Sequence, residues 1–124
     1  MTKTFSLKQL FSLVDGRLST NIGDVYEMLN HICDDDLMTH HLPVASDYVK
    51  SKNPKWFIDV KAKIDILKSK FGNDFSTIME AIDSGYNEKF EIPQLKDEFE
   101  ISDFPRYMVD NSLLLKKLKN KSHE

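Results

Sequence analysis

The stretch NPKWFIDVKAKIDILKSKFG, residues 53–72, decides the class of this fold. Asn53 and Pro54 mark a boundary and a helix start, with Asn as N-cap and Pro at the first helical position. Phe57, Val60, Ile64, Leu67 and Phe71 then follow at spacings of 3, 4, 3 and 4, which is one apolar face of an α-helix. Gly72 ends it. The same grammar of polar cap, apolar stripe and glycine stop recurs along the chain.

Toward the N-terminus, Ser6 caps a short helix carrying Leu7, Leu10, Phe11 and Val14, closed by Asp15-Gly16. Ser19-Thr20-Asn21 opens a second, with Ile22, Val25, Tyr26, Leu29, Ile32 and Cys33 on its apolar side. Three aspartates, Asp34, Asp35 and Asp36, stop it, because acid at a helix C-terminus opposes the macrodipole. A third helix is expected from Thr39 to Lys52, with Pro43 in its first turn. Beyond the central stripe, Asn73 caps a fifth helix through Ile82, and Gly85 closes it. Phe90, Ile92 and Pro93 look extended. Ser102 or Asp103 caps a last helix with Pro105 in its first turn and a lysine-rich end. The reading is all-α: a single domain of about six helices over residues 1–118, room for one short strand or hairpin near 86–93, and a frayed tail at 119–124.

The chain has 124 residues, enough for one core, with 40% apolar and 30% charged residues, which argues against disorder. Four glycines and four prolines are too few for a many-stranded sandwich or barrel. Net charge is −3, so no overall attraction to nucleic acid or anionic membrane is expected. A lone cysteine, no apolar leader and no membrane-length apolar window point to a soluble, cytoplasmic protein.

Candidate chemistry concentrates in HICDDDLMTHHLP, residues 31–43, which holds three of the four histidines and the only cysteine. His31, Cys33, Asp34, Asp35, Asp36, His40 and His41 are all possible metal ligands by type. Their spacing fits no ligand signature, and no distant Cys or His pair completes a site. His31 lies nine residues after Ile22, half a turn away from it, and is expected at the surface; Cys33 is expected in the core. Asp36 with His40, and Asp35 with His31, are half of an acid–base arrangement without a nucleophile turn or a glycine-rich phosphate loop. No cofactor is expected, and the metal-dependent enzyme centred on His31–His41 is the weaker alternative.

Residues 50–71 carry seven lysines against two aspartates. Lys61, Lys63, Lys68 and Lys70 flank the apolar stripe as an ordinary amphipathic helix requires. A nucleic-acid-associated regulator using helix 54–71 is a second alternative, weakened by the absence of arginine there. Glu91 to Asp103 is acidic, with Glu98 and Glu100 among five acids, and is interleaved with apolar residues that anchor it across the helices. Ile58 and Ile66 lie off the main stripe and need cover, from the chain itself by expectation or otherwise from a partner. Asp34, Asp35, Asp36, His40, His41, Ile58, Ile66, Glu98 and Glu100 are therefore the candidate partner-binding residues.

The runs LFSLVDGRLST (10–20), DVYEMLNHI (24–32) and LMTHHLPVA (37–45) resemble a family of short bacteriophage and prophage proteins of unknown function, over most of residues 5–115. The resemblance implies a non-enzymatic accessory protein that binds and modulates a host or phage protein, including components of host defence. It transfers no functional residue.

Overall fold

The computed structural model describes residues 1–121, with side chains described through residue 112. Strand β1 (Thr2–Ser6) leads into α1 (Leu7–Asp15), α2 (Ile22–Cys33), a 3-10 turn at Thr39–His41, α3 (Leu42–Lys52), α4 (Lys55–Phe71) and α5 (Phe75–Ala81). A π-turn over Ile82–Tyr86 then feeds strand β2 (Lys89–Pro93), a 3-10 turn at Leu95–Asp97 and α6 (Phe104–Lys121). The described residues are mainly helical, with six helices and one small sheet, as the apolar spacing predicts. Residues 122–124, the end of the expected tail, lie outside the described residues; α6 is helical through Lys121.

The sheet joins the N-terminal segment to the strand that follows the fifth helix. β1 and β2 pair antiparallel, Thr2 opposite Pro93 through Ser6 opposite Lys89. β2 was legible in Phe90-Glu91-Ile92, but β1 was not, because five residues with one buried side chain, Phe5, show no strand pattern. Ser6 ends β1 and caps α1 reciprocally with Gln9: its hydroxyl accepts the Gln9 N–H, and its own N–H donates to Gln9 Oε1.

Helix ends follow local chemistry, with two shifts from expectation. Asn53 adopts the left-handed conformation (φ 49°) and closes α3, so Pro54 takes the N-cap place of α4. Asn tolerates that conformation through its short polar side chain. Asp74 rather than Asn73 caps α5, accepting the Thr77 N–H at 3.0 Å. α4 buries Trp56, Phe57, Val60, Ile64 and Leu67, and packs against α1 and α5; α3 packs against α2 and α6. Tyr48 links the last pair. Its ring sits between Phe104 and Tyr107, and its hydroxyl donates to Asp103 at 2.6 Å. Burial and that bond push its ionisation up.

His31 is buried, contrary to the sequence expectation. Ile22 is the wrong reference for the inner face of α2, since it is itself 48% exposed. The stripe centres on Met28, Leu29 and Ile32, which places Ile22 and His31 on opposite shoulders. The sheet covers the His31 shoulder. His31 Nε2 donates to the Ile92 carbonyl at 2.8 Å, and its ring lies 5.6 Å from that of Phe5.

A second polar anchor ties α1 to α4. The Asp15 side chain is only 6% exposed and accepts from Arg17 Nε and Lys68 Nζ, each at 2.6 Å. The Arg17 guanidinium also donates to the Asn73 carbonyl and to Asn73 Oδ1, both at 3.0 Å, while lying over the rings of Phe11 and Phe75. Hydrogen bonds from Arg17 and then Lys68 outweigh the cost of burial and hold the Asp15 carboxyl at about 2, down from 3.8.

A carboxyl held this low contributes roughly 2 kcal/mol of stability above its unfolded value. That contribution is complete above about pH 5 and is lost as pH falls toward 2. Asp15→Asn is therefore expected to cost about 2 kcal/mol in urea unfolding at neutral pH, with the gap from wild type narrowing in acid; a constant gap between neutral pH and pH ~3 contradicts this. His31→Ala, which leaves a hole and an unpaired Ile92 carbonyl, is expected to cost about 2–3 kcal/mol. Asp36→Ala at the exposed end of the same segment should stay within about 0.5 kcal/mol. Equal effects of these two changes in the same unfolding assay would contradict the burial of His31.

Candidate functional site

The densest group of candidate ligands does not form one centre. Asp34 takes the left-handed C-cap place of α2 (φ 51°) and turns toward the far end of the chain. Its carboxylate accepts from Lys96 Nζ and, at 3.2 Å, from Gln94 Nε2. The Lys96 bond chiefly lowers its ionisation. Asp35 accepts the Asp36 N–H at 2.7 Å, and both residues are exposed. Asn30 fixes the exit, its carbonyl accepting the Asp35 N–H and its side chain the Leu37 N–H. The Cys33 thiol is buried, and burial pushes its ionisation up to about 12, far from a reactive thiolate. The His40 and His41 rings lie 4.0 Å apart; His40 is exposed, and His41 Nδ1 accepts the Met38 N–H at 3.0 Å. Among the described residues, no three His, Cys, Asp or Glu side chains come together as a metal-holding group.

What the structure does unite is the two acidic segments. The Lys96–Asp34 pair sets the aspartate triplet beside the connection after β2, where Asp97 pairs with the N-terminal ammonium at 2.9 Å. Glu98 and Glu100 are exposed further along it, Glu100 accepting the Ser102 N–H. Ile92, Leu95 and Phe104 are buried, and Phe90, Phe99 and Ile101 pack on the core, so the connection is anchored as the interleaved apolar residues imply.

The lysines of α4 mostly face acids of their own chain. Lys61 pairs with Asp65, Lys63 with Glu88 and Lys68 with Asp15, while Lys70 reaches the Tyr86 hydroxyl. Ile58 and Ile66 are 50% and 59% exposed, so the expected intramolecular cover is not there among the described residues.

Sequence reasoning missed a cleft. An open cleft of about 400 Å3 lies between the α1–α2 turn, α2 and α3. Leu13, Val25 and Leu42 form its buried floor, while Leu18 and Ile22 stand at its rim. Leu18 is 55% exposed, and its neighbours explain why. Gly16 turns the chain through the left-handed region (φ 94°), and Arg17 is pinned to Asp15 and Asn73. Ser19 is buried, its N–H donating to Ser12 Oγ at 2.9 Å and its hydroxyl bonded to the Lys8 carbonyl. Leu18 is held outward between two anchored residues. On the far side, Thr39 lines the cleft and its hydroxyl bonds to that of Tyr26, so the 3-10 turn of the histidine corner forms one wall. Ser46, Asp47 and Lys50 supply a polar edge from α3. The one sequence signal near it was Leu18, an apolar residue in the polar turn after the Gly16 stop.

Such a surface can accept an apolar side chain from another molecule and hydrogen-bond its surroundings. No nucleophile and general base are paired at it. Among the described residues, no helix is long and apolar enough to cross a membrane. Comparison with known proteins gives one family match and no relatives: no curated protein and no solved structure matches the chain. Residues 5–63, which contain every residue lining the cleft, match the model of a domain of unknown function, DUF7736.

Proposed function

We propose that this chain is a non-enzymatic interaction protein that binds and modulates another protein through the cleft between the α1–α2 turn and α3. The observation that carries the reading is the pair Leu18 and Ile22, held exposed at the rim of an apolar cleft by anchored neighbours. Two aliphatic side chains, each about half exposed, are worth about 0.8–1.5 kcal/mol apiece when covered, a driving force for association. The exposed carboxylates of Asp35, Asp36 and Glu98 favour a partner carrying basic residues, accelerating encounter more than tightening the complex. The resemblance to short phage and prophage proteins supports a phage-encoded protein whose partner is a host or phage protein, including a component of host defence.

The alternatives receive less support. A nucleic-acid regulator needs an excess of cations on one face, and Asp59, Asp65 and Glu88 stand among the lysines of α4, while Lys68 is taken up by the buried Asp15. A metal-dependent enzyme needs convergent ligands, and the candidates of residues 31–41 point to different partners.

Affinity capture from host lysate, read by mass spectrometry, tests the reading. Wild type is expected to retain a specific protein, and Leu18→Asp with Ile22→Asp to weaken that binding by at least about tenfold while keeping wild-type thermal unfolding. Capture of nothing specific, or capture that the double variant leaves unchanged, overturns it.

A further inference from the structure

The exposed side of α4 carries a run that reads almost alike in both directions: Ile58-Asp59-Val60-Lys61-Ala62-Lys63-Ile64-Asp65-Ile66. Val60 and Ile64 are buried in the core. Ile58, Asp59, Lys61, Ala62, Lys63, Asp65 and Ile66 are all exposed. We infer that this face joins two copies of the chain, with α4 packed antiparallel against α4 about a two-fold axis through Ala62.

The geometry follows from about 100° of rotation per residue. Taking Ala62 as the centre of the face, Ile58 and Ile66 fall on opposite shoulders, one turn to either side. Lys61 and Asp65 occupy one flank, Asp59 and Lys63 the other. Laying a second helix antiparallel across the first reverses the order along the axis and keeps each flank on its own side. Asp65 then meets Lys61 of the second copy on one flank, and Asp59 meets Lys63 of the second copy on the other. Both contacts are reciprocal, as a two-fold interface requires. Ile66 lies beside Ile58 of the second copy at each end of the contact. Ala62 faces itself at the axis, where a small side chain allows close approach of the helices.

Charge complementarity selects this occupant. The two flanks hold two acids and two bases, and each acid has a base of the second copy within reach. Lys61 already pairs with Asp65 along the helix at 3.1 Å, and Lys63 with Glu88 at 3.4 Å. Both pairs are exposed, so the lysines can share a second acid without being desolvated first. The antiparallel arrangement also sets the two helix macrodipoles head to tail. A contact of one helix face lies below the area of a standard stable interface, so the dimer is concentration-dependent and exchanges rapidly. This surface is on a different helix from the cleft, and either proposal can fail without the other.

Sedimentation equilibrium over a concentration series reads the outcome. The wild-type mass is expected to rise from the 14.4 kDa monomer toward twice that value. Ala62→Glu puts two carboxylates at the axis and is expected to weaken the dimer at least about tenfold with helical content unchanged. Lys61→Glu with Lys63→Glu makes both flanks acidic and should likewise give monomer. Adding Asp59→Lys and Asp65→Lys to that pair restores opposite charges across the interface and should restore the dimer. A wild-type mass that stays at the monomer value overturns the inference and leaves the face to a different protein. So does a dimer indifferent to Ala62→Glu, or a quadruple variant that remains monomeric.

Discussion

The fold depends on one carboxylate taken almost fully out of water. Asp15 stands where α1 ends, and burying an acid there is tolerable only because Arg17 and Lys68 converge on it. Three parts of the chain are fixed by that convergence. α1 is held to the last turn of α4, the α4–α5 junction is held through Asn73, and the α1–α2 turn is drawn tight against both. The aromatic rings of Phe11 and Phe75 lie beneath the guanidinium. The turn it tightens is the one that displays Leu18, so the polar anchor and the apolar rim of the cleft are two ends of one device.

A second long-range constraint closes the other side of the molecule. His31 donates from the middle of the sequence to the backbone of β2, which in turn pairs with β1. Polar contacts thus specify how the sheet is set against α2, while apolar burial supplies most of the driving force. This division explains why the histidine-bearing segment looks chemically rich yet forms no reactive centre. His31 is a strut, Cys33 a small core side chain, Asp34 a helix stop tied to Lys96, and His41 a cap for the turn that follows.

How much of this was legible in the sequence depended on the range of the interaction involved. Helices were legible because periodicity and caps are local: the α4 stripe, the polar entry to α2 and the glycine stops of α1 and α4 stand where the spacing places them, while Gly85 falls inside the π-turn after α5. β1 was not, since its partner residues lie more than eighty positions away and only Phe5 is buried. His31 was misjudged because a helical wheel needs a correct reference, and Ile22 serves the cleft rather than the core. Ile58 and Ile66 were rightly singled out as off the stripe, but a wheel cannot say whether a second layer exists to cover them. The cleft was the largest omission, because concavity arises between elements and leaves no pattern within any of them.

The pairing of β1 with β2 has a consequence for how the chain is divided and made. Residues 5–63 cover α1 to α3 and half of α4, yet they exclude β2, the strand that shields Phe5 and accepts the His31 proton donor. That stretch therefore lacks the strand that the fold pairs with β1. During synthesis the first strand emerges early and waits, unpaired, until β2 has left the ribosome, so the molecule acquires its final cohesion late. A truncation between α5 and β2 would unpair β1, more than eighty positions away in the sequence.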